Sequence, residues 1–272
     1  KANPNLGVSV SLDDLRDKAT KARSIGSALT HFLTKHLNVW TNAAEMWIAP
    51  DAWAACGGQI DLAALAGREC YGGLDLSNTL DITAWVLVFP PLDPGDPYTI
   101  LCRFWVPEDR IRERSKADRV PYDAWQRAGL IEATPGQVID YEFVYAQVDR
   151  DCMAYNVKEI GFDRWGAAEV YLRMAKAGKT MVQIGQGYQS MSPPMKKLEE
   201  LIIGGQLAHG GNPVLGWMAH NLVASRDPAG NIKPDRRRSR EKIDGMVALI
   251  MALDRASRHE ASIYEGQGLR EI

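Results

Sequence analysis

The chain has 272 residues, 46% of them hydrophobic and 24% charged. These are ordinary values for a globular protein of one large domain or one and a half, and they exclude a disordered tail, a collagen-like rod and a small disulfide scaffold. With 32 Lys+Arg against 34 Asp+Glu the net charge is −2, so no global positive field gathers nucleic acid, and a polyanion must be held by a local basic patch or by bound metal.

The N-terminus, Lys1-Ala2-Asn3-Pro4, has no apolar signal core and no initiator Met, and reads as part of something longer. Residues 8–56 read as short helices. Ser11 is an N-cap, and Leu12, Leu15, Ala19 and Ala22 follow at helical steps. Ile25 to Leu37 is a second helical segment. Trp40, Trp47 and Trp53, three indoles in fourteen residues, predict that this arm packs onto its neighbour. Gly57-Gly58 and Gly72-Gly73 read as punctuation before the next stretch.

From Tyr71 the texture changes. Gly73-Leu74-Asp75-Leu76 reads as a short strand, Ile82–Phe89 as a second and Tyr98–Val106 as a third. The loop Pro90–Pro97 holds four prolines and reads as a hairpin connection, so the three strands form an antiparallel meander. Helical pieces are expected near 107–128 and 140–155. They are followed by a strand at Val157–Phe162, a helix at 165–177, a strand at Met181–Ile184 and helices near 193–203 and 213–223. A turn at Asp227-Pro228-Ala229-Gly230 precedes a final helix at about 240–258, with Ile243, Val247, Ile250 and Leu253 at helical spacing and a frayed tail after His259. The β-α-β-α passage implies parallel strands covered by helices. The expected fold is therefore an α/β mixed sheet, three antiparallel strands then parallel ones, flanked by helices, with a short helical N-terminal arm; the order resembles a ribonuclease-H-like fold. The longest apolar run, Ala84 to Leu92, is nine residues with two prolines, against about 18 for a bilayer span, so no membrane protein is expected. Cys56, Cys70, Cys102 and Cys152 show neither CxxC spacing nor His pairing, so neither disulfides nor a zinc site are expected and a reducing cytoplasm is.

Three aspartates stand where a core would not ordinarily place them: Asp75 between leucines, Asp163 at the end of a strand, and Asp244 in the first turn of the last helix. Singly, they read as an edge-strand residue, a helix cap and a complement to a helix dipole. Together they suggest more. A carboxylate between leucines is costly to bury without a cation or donor, and three carboxylates at one end of a sheet settle around Mg²⁺ or Mn²⁺. Two such ions, about 3.5–4 Å apart, are the known arrangement for in-line phosphodiester displacement, with no nucleophilic side chain.

Other motifs fail. Gly178-Lys179-Thr180 would end a phosphate-binding loop, but the first Gly of that motif falls on Arg173, so no ATP hydrolysis is predicted. Gly185-Gln186-Gly187 lacks its third Gly and reads as a flexible loop. His209 and His220 are the histidines that could lie near the acids. The run Lys233–Lys242 carries six cations and two anions and leads straight into Asp244. It reads either as a solvated face or as a phosphate-binding patch built from Arg236, Arg237, Arg238, Arg240 and Lys242; Lys196 and Lys197 are weaker candidates.

Gly72-Gly73-Leu74-Asp75-Leu76-Ser77, with Asp81-Ile82-Thr83-Ala84 just after, resembles the start of the nuclease domain in tailed-phage terminase large subunits. Gly161-Phe162-Asp163-Arg164-Trp165 resembles that family's second acidic motif, and Ser239 to Ala248 its third. Gly187-Tyr188 and Asn231 to Asp235 are similar as well, so that the resemblance covers about 71–258 in the right order. It implies a DNA-packaging motor acting in the host cytoplasm, in which an ATPase domain drives DNA into a procapsid and a ribonuclease-H-like domain cuts the concatemer. Residues 1–56 would be the helical link from an ATPase domain missing here, and 57–272 the nuclease. Asp75, Asp163 and Asp244 would ligate two Mg²⁺ or Mn²⁺ ions, with Asp75 as the bridge and Asp81 a possible further acid. The implied partners are double-stranded DNA, the ATPase domain, the portal and the small terminase subunit. The alternatives are a non-catalytic DNA- or protein-binding module, which would bind DNA without turnover, and a resolvase or exonuclease of the same fold; an exonuclease would leave closed circles intact.

Overall fold

A computed structural model describes residues 11–24, 32–33, 35–37, 46–76, 82–118, 120–163, 168–239 and 241–265. Helix α1 (Leu12–Ser24) starts where expected, with the Ser11 hydroxyl accepting from the Asp14 N–H at 3.0 Å. Most of the second helical segment, and Trp40, lie outside the described residues. Trp47 and Trp53, the latter on α2 (Pro50–Ala55), are buried in the main core, as their clustering predicted. Strands β1 (Glu69–Asp75), β2 (Thr83–Phe89) and β3 (Tyr98–Pro107) form the predicted antiparallel meander. A 3₁₀ turn at Glu108–Arg110 then leads into α3 (Ile111–Ala117), α4 (Tyr122–Arg127), β4 (Glu132–Thr134) and α5 (Tyr141–Ala154). Next come β5 (Asn156–Phe162), α6 (Ala168–Lys176), β6 (Met181–Gln183), α7 (Tyr188–Ile203), β7 (Leu207–Ala208) and α8 (Pro213–Asn221). A hairpin of β8 (Ala224–Arg226) and β9 (Ile232–Pro234) precedes α9 (Asp244–Glu265).

The main sheet has seven strands in the order β4-β3-β2-β1-β5-β6, with β7 also on β3. β5 and β6 run parallel to β1, giving the expected mixed sheet. Both faces are covered. Along β2 the alternation is plain: Ala84, Val86 and Val88 face the core under α9, while Trp85, Leu87 and Phe89 face the core under α5 and α6. α9 itself is apolar on every side from Met246 to Leu253, the pattern of a fully buried helix. Among the described residues no helix is long and apolar enough to cross a membrane.

The glycines of β1 have a different purpose from the one expected. Gly72 and Gly73 lie inside the strand, not at a turn. A Cβ on Gly73 would stand 1.9 Å from the Ala248 carbonyl oxygen, and one on Gly161 2.7 Å from Ile184 Cδ1 and 3.0 Å from the Met251 carbonyl oxygen. Bare backbone on β1 and β5 lets α9 lie directly on the sheet.

Three other expectations need correction. α7 begins at Tyr188, five residues before the expected start, with Pro193 and Pro194 inside it. Burial of Met191, Ser192 and Met195 outweighs the hydrogen bonds the prolines cannot donate, and Lys196 and Lys197 fall in mid-helix. The Gly185–Ser190 loop is accordingly shorter, because Gly187 is the N-cap of that helix. α9 starts at Asp244 and runs on to Glu265, past the expected fraying point. Strands β4, β7, β8 and β9, two or three residues each, carry no readable periodicity.

Candidate metal and DNA site

Strand parity and register converge on one point. Tyr71 and Gly73 face α9, so Asp75, two residues on, closes β1 on the same face. It ends the strand rather than interrupting it. β5 is parallel to β1 with Leu74 beside Phe162, and Asp163 follows Phe162 on the face of Gly161. Asp244 opens α9 above them. Three acids separated by 88 and 81 positions in the chain therefore meet at the carboxyl ends of two neighbouring parallel strands.

Asp75 and Asp244 are each only 4% exposed. Their shared partner is Arg236, whose Nη2 donates to Asp75 Oδ2 at 2.6 Å and whose Nη1 donates to Asp244 Oδ1 at 3.1 Å. The arginine is carried by a tight turn. Asp235 Oδ1 accepts from the Arg237 and Arg238 backbone N–H groups, the Asp235 carbonyl accepts from the Ser239 N–H at 2.9 Å, and the Ser239 hydroxyl accepts from the Val223 N–H. The next residues are tied to α8 through Asn221 Nδ2, which donates to the Lys242 carbonyl.

The electrostatics set Arg236 against two buried carboxylates and the charge of a third. Burial pushes the Asp75 carboxyl up to about 7; Arg236 pulls it back, and the charges of Asp244 and Asp163 push it further up. Arg236 is also shifted upward, held more firmly protonated chiefly by Asp75 and also by Asp244, against the cost of its burial. A site that keeps carboxylates buried around a cation has the donor chemistry of a hard divalent ion. Among the described residues no three His, Cys, Asp or Glu side chains form a closed ligand group; the guanidinium joins two acids, and Asp163 acts on Asp75 through its charge.

Of the basic run, Arg236 reaches the acids with its side chain still 49% exposed, Arg237 and Arg238 are exposed, and Lys242 is half-buried. Arg240 and Asp81 lie outside the described residues. His209 is not near the acids. It stacks on Trp53 with ring centroids 4.3 Å apart and follows β7, which pairs with the start of β3, whereas Asp75 lies across β2 from Phe104, near the end of β3. His220 lies in the last turn of α8, one residue before the Asn221 that ties down the Lys242 backbone. The bridging position of Arg236 was missed from sequence, where it was one cation among six.

A family model described as the terminase large subunit, endonuclease domain, matches residues 1–260. The chain belongs to that family. It is 35% identical to the terminase large subunit of Enterobacteria phage HK97, over 94% of this chain and 50% of that protein. It is 32% identical to Protein YmfN of Escherichia coli K12, over 100% of this chain and 63% of that one. The crystal structure of the HK97 large terminase superposes with a TM-score of 0.70 at 34% identity, covering 93% of this chain and 52% of that one. The chain thus spans about half the length of the HK97 subunit, and its mixed sheet, closed by α9, is the terminase nuclease fold.

Proposed function

We propose that this terminase nuclease domain is a metal-dependent DNA endonuclease that cuts concatemeric phage DNA during packaging. The observation that carries the reading is the pair of buried carboxylates, Asp75 and Asp244, gathered on one cation beside Asp163 at the strand ends. Asp75, Asp163 and Asp244 would hold two Mg²⁺ or Mn²⁺ ions, Asp75 between them. When bound, the ions would acidify the attacking water and stabilise the leaving 3′ oxygen. The chain's own part is to fix three ligands on rigid elements, two strand ends and one helix start, so that their geometry is set before substrate arrives. Arg237, Arg238, Arg240 and Lys242 would track phosphates along the duplex without reading its sequence. Residues 1–56 would link this domain to an ATPase, and the portal and small terminase subunit would be partners of the whole assembly.

The test is incubation with closed-circular plasmid. Nicked and linear products are expected with Mn²⁺ or Mg²⁺ and none with excess chelator; products formed equally in chelator would refute the metal requirement, and untouched circles beside degraded linear DNA would point to an exonuclease. A second measurement addresses the basic turn. In chelator, Arg237→Ala and Arg238→Ala should each weaken duplex binding and reduce the slope of log affinity against log salt by about one, the amount expected for one phosphate contact. An unchanged slope would remove that residue from the DNA surface.

A further inference from the structure

The contact between Arg236 and the acids has a consequence for how the cleft is filled. The guanidinium uses Asp75 Oδ2 and Asp244 Oδ1, so those oxygens are committed to the arginine while it stays. We infer that Arg236 is the resident counterion of the cleft, holding Asp75 and Asp244 together in the metal-free chain and giving up that position to the divalent cation, so that metal entry and release of Arg236 are one exchange. This rests on the metal reading proposed above.

Three features favour exchange over a permanent clamp. The acids are fixed by backbone, one at the end of β1 and one in the first turn of α9, whereas Arg236 stands on a surface turn with its side chain 49% exposed. Rotating its long side chain outward breaks two contacts and needs no rearrangement of the core. Charge balance also favours it: Arg236 brings one positive charge to Asp75 and Asp244, whereas a divalent ion brings two. Finally, the outward position lies beside Arg237 and Arg238, which already face solvent, so the displaced guanidinium joins a basic surface rather than an apolar one.

The exchange makes opposite predictions for the two states of the protein. Melting would be followed in chelator and in saturating Mn²⁺, and Mn²⁺ binding by calorimetry, for the wild type, Arg236→Gln, Arg236→Lys and Asp75→Asn. In chelator Arg236→Gln should melt below wild type, because the buried acids lose their counterion, and Arg236→Lys should fall between them. In Mn²⁺ that gap should close, and Arg236→Gln should bind Mn²⁺ about tenfold or more tightly than wild type, the scale of one charge-assisted hydrogen bond no longer in competition. Mn²⁺ binding that is unchanged or weaker in Arg236→Gln, or an unchanged melting point in chelator, overturns the exchange. The two ideas fail separately: equal Mn²⁺ binding by wild type and Asp75→Asn overturns the metal reading itself, whereas binding lost in Asp75→Asn but indifferent to Arg236 overturns the exchange alone.

Discussion

Asp75→Asn is expected to abolish plasmid cleavage, by about 10³-fold or more, while leaving the chain folded. The size follows from position. Asp75 is the proposed bridge, it is buried, and it feels both Asp244 and Asp163, so its loss disturbs the whole ligand set rather than one arm of it. The amide is nearly isosteric and cannot carry the negative charge a hard cation requires. Stability should move the other way. Because the folded carboxyl titrates above its unfolded value of 3.8, near 7, the native state binds the extra proton between those values. Its contribution is therefore fully present below about pH 4 and is lost as pH rises through about 7. In chelator at pH 8, Asp75→Asn should melt no lower than wild type, with Arg236 able to turn to solvent. A variant that is both inactive and clearly less stable would show a structural role and weaken the ligand assignment. Asp163→Asn and Asp244→Asn should be similarly inactive, and cleavage surviving in all three would refute the site.

The acids were legible in the sequence for a reason that does not apply to most of the molecule. Asp75 between leucines is anomalous wherever it occurs, and Asp163 at the end of an expected strand and Asp244 in the first turn of an expected helix add two more carboxylates beside apolar residues. The long strands β2 and β3 were legible too, because two largely apolar stretches separated by a loop with four prolines leave few alternatives. The short strands were not, since two or three residues have no period. Arg236 was hidden for a different reason. Sequence shows six cations in ten residues, and nothing in their order tells which one the Asp235 turn points inward. His209 is the converse case: the sequence left it as a histidine that could lie near the acids, while the pairing of β7 with the start of β3 puts it at the far end of the sheet.

Gly73→Ala is expected to be the most damaging small substitution among the glycines of the sheet, and its effect should reach the site. The added Cβ would stand 1.9 Å from the Ala248 carbonyl oxygen, 2.8 Å from the Ala248 carbonyl carbon and 2.9 Å from the Ala252 nitrogen. All three are backbone atoms in the middle of a fully buried helix, so no side chain can swing aside; either α9 lifts from β1 or the strand buckles. Overpacking usually costs about 1–3 kcal/mol where side chains can adjust, and here the cost should exceed about 3 kcal/mol, a large part of a typical total of about 5–15 kcal/mol. At about 2–4 °C per kcal/mol for a domain of this size, melting should fall by roughly 10 °C, or the protein should fail to fold. Gly58→Ala, whose Cβ would meet nothing within 4 Å, is the control and should melt within about 2 °C of wild type. Since Asp75 ends β1 and Asp244 begins α9, any separation of helix from strand also pulls the two carboxylates apart. Whatever Gly73→Ala protein folds should therefore cleave less DNA per folded molecule than wild type. Melting and cleavage at wild-type levels would mean that α9 does not rest on β1 as described, and the convergence of the three acids would lose its structural basis.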